Sequence, residues 1–383
     1  MAARDFIHHR TFPGTTGNIF DVVLHIADFI ESLPAFVFAA VLLGFACLPL
    51  LAVSFSPPLI LLYLFFLGDW ALLAALPRAQ KSFGPAKPPT LLLAAMRLPF
   101  AGLPWPLALA AQIAGTGLVI YGFWIEPHRL TLTRQRLCSP KLKPGASLRL
   151  LHIGDLHVER ITSRERQVIA LARSTAPDVI LFSGDFLSLS YLRDPQAWEA
   201  VRAVLGELSA PLGVFAVSGS PAVDLPDVVP QLLEGLAHIR WLRDEKVTIE
   251  HGGNAYDIVG LNCTHKPFED EPRLFSVLGQ SRPPRPLDRF TILLYHSPDL
   301  APEAAQAGVD LQLSGHTHGG QVRLPLYGAL YAGSLYGKKY ESGRIQEGKM
   351  TLYVTRGVGM EGKGAPRVRC LCPPEITAWE ITT

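Results

Sequence analysis

The sequence carries almost no net charge. Across 383 residues the formal balance is only +2, and no stretch interleaves basic residues with aromatics. That excludes the electrostatic footprint of a nucleic-acid-binding protein. Cysteine is scarce too: Cys47, Cys138, Cys263, Cys370 and Cys372 are scattered and odd in number. Such a set builds no disulfide framework, and the close Cys370–Cys372 pair lacks a second pair for a zinc site. Reduced thiols favour a cytosolic face. There is no internal repeat, no low-complexity tract, and no early apolar run of the kind a cleaved signal peptide needs.

What is abundant is apolar residue, unevenly spread. The hydrophobic fraction is 49% and most of the excess precedes residue 126. Uncharged or nearly uncharged runs cover Pro34–Val53, Pro58–Leu76 (interrupted by Asp69) and Pro104–Ile125. Each approaches the ~20 residues that cross a bilayer as a helix. A shorter piece, Thr90–Phe100, carries Arg97 and reads as re-entrant, interfacial or a fourth crossing. Basic clusters lie before the first run (Arg4, Arg10), after the second (Arg78, Lys81, Lys87) and after the last (Arg129, Arg134, Arg136, Lys141, Lys143). The positive-inside rule places all three in the cytoplasm if the chain crosses four times or re-enters once. The expectation is a multi-pass segment 1–126 in a bacterial inner membrane, a linker 127–146 rich in charge and proline, and a cytoplasmic domain 147–383. Asp69 is costly inside a span and reads as either functional or paired within the bundle.

From Ser147 the texture changes. Short apolar runs at Leu148–Gly154, Asp178–Ser183, Gly213–Ser218, Ala255–Leu261, Thr291–Tyr295, Val309–Leu313, Thr351–Thr355 and Ile376–Ile381 read as strands. Helical periodicity falls at Ile161–Ser174, after the Asp194-Pro195 cap and proline, and at Leu225–Ala237. Strands alternating with helices predict an α/β sandwich.

Four of these strands end in groups able to ligate a metal. The first gives Asp155 and His157, the second Asp185, the fifth His296, and Val309–Leu313 runs into Gly315-His-Thr-His318. Loops beyond the carboxyl ends of strands are where open α/β sheets hold ligands. His316 and His318, two residues apart, point one way in extended backbone. Taken alone they are as readily two loop histidines bonded to backbone. Four strand ends together are not. Carboxylates mixed with imidazoles suit manganese first, with iron or zinc as alternatives. Two ions ~3.5–4 Å apart clamp a phosphoryl group and lower the pKa of a bound water. Asp185, between the two groups in sequence, is the natural bridge.

Asp155-x-His157, Gly184-Asp185, His296 and Gly315-His-x-His318 resemble the calcineurin-like metallophosphoesterase family over about residues 147–383. The segments Gly315–Gln321, Tyr353–Val358 and Pro374–Ile376 are similar to its bacterial membrane-associated branch, which includes a UDP-2,3-diacylglucosamine hydrolase of lipid A synthesis. The resemblance implies a four-layer fold, two mixed sheets flanked by helices, following an α-helical transmembrane region. It implies that Asp155, His157, Asp185 and His318 hold one metal, and Asp185, His296 and His316 the other.

One motif departs. The family's Gly-Asn-His-Asp is here Gly219-Ser220-Pro221-Ala222, so an amide ligand and a proton-donating imidazole are missing. Ser220 is retained as a candidate, weaker ligand. Asp224 is a candidate replacement for the lost ligand or acid, or an exposed loop residue, and joins Asp185 and His316 as candidate catalytic residues. His152 and His265 are further imidazoles without positional support. Lys338, Lys339, Arg344 and Arg356 are candidate phosphate contacts or plain surface charge. Two functions follow. One is a membrane-anchored phosphoesterase cleaving a phosphodiester or pyrophosphate bond in a phosphorylated, lipid-linked substrate at the bilayer. The other is a relative that binds metal or a phospholipid head group without efficient turnover.

Overall fold

A computed structural model describes residues 19–51, 59–281, 284 and 286–383. The chain divides into two compact units. One is helical and includes the described residues up to His128 together with Glu361–Arg369; the other holds Arg129–Met360 and Cys370–Thr383.

In the helical unit the apolar runs fold as Ile19–Ser32, Ala35–Cys47, Leu59–Ala75, Lys87–Arg97 and Trp105–Val119. Trp105–Val119 continues as tighter and wider turns to His128, giving a 24-residue stretch long and apolar enough to cross a membrane. The other two runs flank residues 52–58, which lie outside the described residues. Ala35–Cys47 has 13 α-helical residues and continues as a tighter turn over Leu48–Leu51. It forms a broken pair with Ile26–Ser32, bent by 113°, and Leu59–Ala75 is an apolar helix of intermediate length. Arg4 and Arg10 lie outside the described residues. Ile26, Phe29, Phe36, Ile60, Leu64, Leu107, Ile113 and Leu118 are exposed.

Asp69 is buried and paired within the bundle. Arg97 grips it with two bonds, Nε to Oδ2 at 2.7 Å and Nη2 to Oδ1 at 2.8 Å. The same guanidinium donates to the Gln112 carbonyl at 2.7 Å and the Thr116 hydroxyl at 2.9 Å. The charged residue of the short segment therefore ties three helices through one buried fork, a geometry that suits arginine. Glu31 similarly accepts from the backbone N–H groups of Ala86 and Lys87, at 3.0 and 2.8 Å, where a helix start leaves donors unsatisfied.

The second unit contains two six-stranded mixed sheets and a small antiparallel ribbon, β10 (Arg323–Leu324) with β11 (Gly328–Ala329). The first runs β1 (Thr131–Cys138), β14 (Glu375–Thr382), β2 (Ser147–Ile153), β3 (Val179–Phe182), β4 (Val214–Ala216), β5 (Ile239–Trp241). The second runs β12 (Gly343–Glu347), β13 (Met350–Val354), β9 (Leu311–Ser314), β8 (Phe290–Leu294), β7 (Asn254–Gly260), β6 (Glu245–His251). Within them β2 to β5 are parallel, as are β7, β8, β9 and β13. Alternation sorts the side chains. Leu150, Val179 and Leu181 pack in one cluster with Ile258, Ile292 and Leu313 of the second sheet. Leu151, Ile180 and Phe182, one residue out of phase, pack with Val168 and Val201 of the helices Ser163–Thr175 and Pro195–Gly206. Val259 and Leu293 pack with Leu274 and Ala304 of Pro267–Val277 and Ala301–Gln306.

Local signals set the helix starts. Thr162 and Glu165 form a reciprocal capping box, and the Asp194 carboxylate accepts from Gln196 and Ala197 N–H groups ahead of Pro195. The helix expected over Leu225–Ala237 is only Val229–Leu233. The stretch 127–146, expected as a linker, contributes β1, which pairs in parallel with β14.

Replacing Asp69 by leucine leaves a buried guanidinium unpaired, which typically costs ~3–5 kcal/mol. Thermal unfolding in detergent should show that loss for Asp69→Leu and a markedly smaller one for Asp69→Leu/Arg97→Leu; equal losses would remove the pair from the account of the bundle.

Candidate metal centre

Six strand ends meet at one place. The loops after β2, β3, β4, β7, β8 and β9 carry Asp155 and His157, Asp185, Ser220, His265, His296, and His316 and His318 respectively. All six strands belong to the parallel stretches of the two sheets, so their carboxyl ends point the same way within each sheet. Close backbone approach makes room. A side chain at Gly184, where φ is +95°, would meet the Gly219 nitrogen at 2.3 Å, and one at Gly219 would meet Asp185 Oδ1 at 2.1 Å. Asp155, His157, Asp185, His265, His316 and His318 all have positive φ, from +41° to +71°. Such backbone costs ~1–3 kcal/mol per residue and concentrates where a ligand or reaction is served.

Two groups of donors form. Asp155, His157, Asp185 and His318 offer four ligand atoms within 4.8 Å of one another; His265, His296 and His316 offer three. Asp185 joins them: its Oδ2 is 3.3 Å from Nε2 of His157 and 3.3 Å from Nε2 of His296. The Nε2 atoms of His157 and His318 face each other at 3.0 Å. Asp155 Oδ1 accepts from the His316 N–H at 2.8 Å, whereas its buried Oδ2 has no hydrogen-bond partner among the described residues. An orphaned carboxylate oxygen, converging imidazoles and a shared carboxylate fit a pair of divalent ions. Orientation of the rings fits as well. His296 Nδ1 is 2.9 Å from the Ser183 carbonyl and His316 Nε2 is 3.1 Å from the Gly333 carbonyl. Donation there leaves the other nitrogen of each ring bare, the usual second partner of a ligating histidine.

The charges show what cations would have to displace: a ligating imidazole must be neutral, so binding at His296 competes with a proton. Burial alone would raise the Asp185 carboxyl, but His296 and His157 hold it well below the usual carboxylate range. Burial lifts Asp155 to about 6. Burial disfavours protonated His296, yet Asp185 outweighs it and the imidazole rises to about 9. His316 is pushed down to about 4, first by burial and then by His296.

The remaining candidates separate. Ser220 stays near the second group, its hydroxyl 3.1 Å from His296 Nε2 and its N–H donating to Asp185 Oδ1 at 2.7 Å. Asp224 is buried rather than exposed and belongs to neither group. Its carboxylate accepts from the N–H groups of Asp185, Phe186 and Gly219, at 2.8, 3.0 and 2.6 Å, so it holds the backbone of both loops. His152 lies within β2, against the Ser183 hydroxyl at 3.0 Å. The four basic candidates have structural partners: Lys338 the Ala329 carbonyl at 2.9 Å, Lys339 Glu347 at 2.7 Å, Arg344 the Arg136 carbonyl at 2.8 Å, and Arg356 Glu375 at 2.7 Å. His265 is the residue whose place sequence reasoning lacked. It lies beyond β7 (Asn254–Gly260), which pairs in parallel with the strand leading to His296, farther from its strand end than any other residue of the centre.

Comparison with known proteins agrees with this geometry. Residues 148–320 match the calcineurin-like phosphoesterase domain. The metallophosphoesterase YkuE of Bacillus subtilis is 31% identical over 286 residues, covering 72% of this chain and 93% of that protein. The phosphodiesterase YaeI of Escherichia coli is 29% identical, covering 72% and 96%. The UDP-2,3-diacylglucosamine pyrophosphatase LpxG of Chlamydia trachomatis is 25% identical, covering 66% and 89%.

His152 supplies a pH test. Its burial pushes the imidazole down from 6.5 to about 3, so the unfolded chain binds a proton the folded chain refuses. That contribution to stability is present above pH 6.5 and is lost as pH falls toward 3, amounting to about 2 kcal/mol between pH 7 and 5. Urea unfolding of His152→Gln against the parent should show a shallower pH dependence by that amount in this window; parallel curves would mean the imidazole is not held neutral.

Proposed function

The chain belongs to the calcineurin-like phosphoesterase family, and from that premise we propose that it is a membrane-anchored hydrolase that uses two divalent ions to cleave a phosphodiester or pyrophosphate bond in a lipid-linked substrate. The observation that carries the reading is the Asp185 carboxylate standing 3.3 Å from an imidazole of each donor group. Asp155, His157, Asp185 and His318 would hold one ion, and Asp185, His296 and His316 the other. When bound, the ions would neutralise phosphoryl charge and lower the pKa of a water to near neutrality. The chain's own part is to keep Asp185 ionised, to hold the imidazoles in the tautomer that presents a lone pair, and to keep the donors buried. Asp224 serves this indirectly, by pinning the loops of Asp185 and Ser220.

The substrate class rests on two supports. LpxG, matched over 89% of its own length, is named for a diacylated nucleotide sugar. In addition, apolar side chains crowd the surface beside the centre. Leu324, Leu326, Tyr327, Leu330 and Tyr331 are exposed on the segment that leads to Gly333, whose carbonyl faces His316. Together with the exposed helices of the N-terminal unit, this suits a substrate whose acyl chains stay in the bilayer while its phosphate enters the centre. We take manganese as the first ion to test, the three sheet and helix clusters as the family's layered sandwich, and the multi-pass unit as its anchor with the hydrolase in the cytoplasm.

The missing Asn-His pair favours one competing reading, a centre that binds without turnover. Acid help to the leaving group is worth ~10²–10⁴-fold, so a substrate with a good leaving group such as a nucleotide suffers least. Full-length protein in detergent should hydrolyse bis-p-nitrophenyl phosphate and UDP-2,3-diacylglucosamine with Mn²⁺. Asp185→Ala should lose on the order of 10³-fold or more, since metal-held charge stabilisation is worth several kcal/mol. Metal-loaded parent no faster than Asp185→Ala on either substrate would leave the binding reading in its place.

A further inference from the structure

We propose that His265 is a ligand of the second metal position, taking over from the asparagine this chain has replaced by Ser220. The inference rests on the two-ion reading above and adds a residue that the family pattern does not contain.

Three observations carry it. The ligand nitrogens of His265, His296 and His316 all fall within 4.8 Å of one another, with the His265 ring centroid 4.4 Å from that of His316 and 6.0 Å from that of His296. Next, His265 is buried, at 6% exposure, on the loop after β7, the immediate parallel neighbour of the strand that delivers His296. Lastly, its φ of +59° places it with Asp155, His157, Asp185, His316 and His318 among the residues held in left-handed backbone. The competing account is a core histidine held by its neighbours, among them Cys263, whose Sγ is 3.7 Å from Nδ1. That account explains its burial but not its place against two further imidazoles.

The substitution follows from reach. Ser220 remains beside His296, but a hydroxyl is shorter and a weaker donor than a carboxamide. An imidazole arriving from the opposite sheet restores the donor count, and it changes the chemistry. Three imidazole nitrogens with one Asp185 oxygen favour zinc or ferrous iron, whereas the first position, with two carboxylates and two imidazoles, keeps more oxygen and suits manganese better. The two positions therefore differ in preference.

The test is metal content rather than turnover. Full-length protein is stripped with chelator, titrated with Co²⁺ or Zn²⁺, desalted and counted by plasma mass spectrometry. The parent should hold two ions per chain. His265→Ala and His265→Phe, the latter filling the volume without a donor, should hold one. The second ion should loosen by at least ~100-fold, since losing even a partner of a ligand costs ~10–100-fold. Circular dichroism compares their folding, and His265→Ala/Ser220→Asn should regain the second ion. Two ions bound with parental affinity in folded His265→Ala and His265→Phe would overturn the proposal alone. A parent that holds none would instead overturn the two-ion reading beneath it.

Discussion

The shared carboxylate of Asp185 is the constraint around which the second unit is arranged. For one oxygen to stand 3.3 Å from imidazoles of both donor groups, the loops that carry them must converge from two sheets. That convergence needs backbone without side chains where Gly184 crosses Gly219. It also needs a carboxylate, Asp224, to collect the N–H groups that the crossing leaves pointing inward. An aspartate so placed is part of the frame. Its cost is electrostatic: burial, then the nearby Asp185 charge, raises Asp224 to about 7. Donor oxygens are thus crowded until cations are supplied, which is the expected condition of a site built for them.

Much of this was legible in the sequence, for a physical reason. Strands buried on both faces are continuous apolar runs, and a ligand at the end of such a run announces itself by being polar where the run stops. Asp155, His157, Asp185, His296, His316 and His318 all follow that rule, and the structure brings them together. What stayed hidden lacks such contrast. β1 is half-exposed, is largely polar with Arg134 and Arg136 on either side of Gln135, and sits among prolines, so it reads as connection. β6 is an edge strand with charged and polar residues. His265 lies five residues past its strand end, farther than the others, behind a cysteine and a threonine. Asp224 was visible as a carboxylate, but nothing local says that its partners are backbone groups 38 and 39 residues away.

The helical unit shows the opposite balance. Its apolar runs were plain, but their lengths as helices were not, because a run of apolar residues does not say where a helix will break. Proline does part of that work at Pro34 and Pro104, each at a helix start. Arg97, awkward as a residue inside an apolar bundle, resolves once Asp69, Gln112 and Thr116 are seen around it. A single cation meeting donor-hungry groups of several helices specifies how they register, where uniformly apolar surfaces do not.

The position of β14 carries a consequence for biosynthesis. It lies between β1 and β2 and pairs with both, although more than two hundred residues separate it from β1 in the chain. As the polypeptide leaves the ribosome, β1 and β2 emerge early with no partner for the edges they will later offer β14. Before β14 arrives, the chain must also pass through Glu361–Arg369, which belongs to the helical unit. The first sheet is therefore completed only after nearly everything else has been made, and until then two strand edges stand open as templates for mispairing. With its apolar helices anchored in a bilayer, as proposed above, such a nascent chain would be held apart from neighbouring copies while those edges wait.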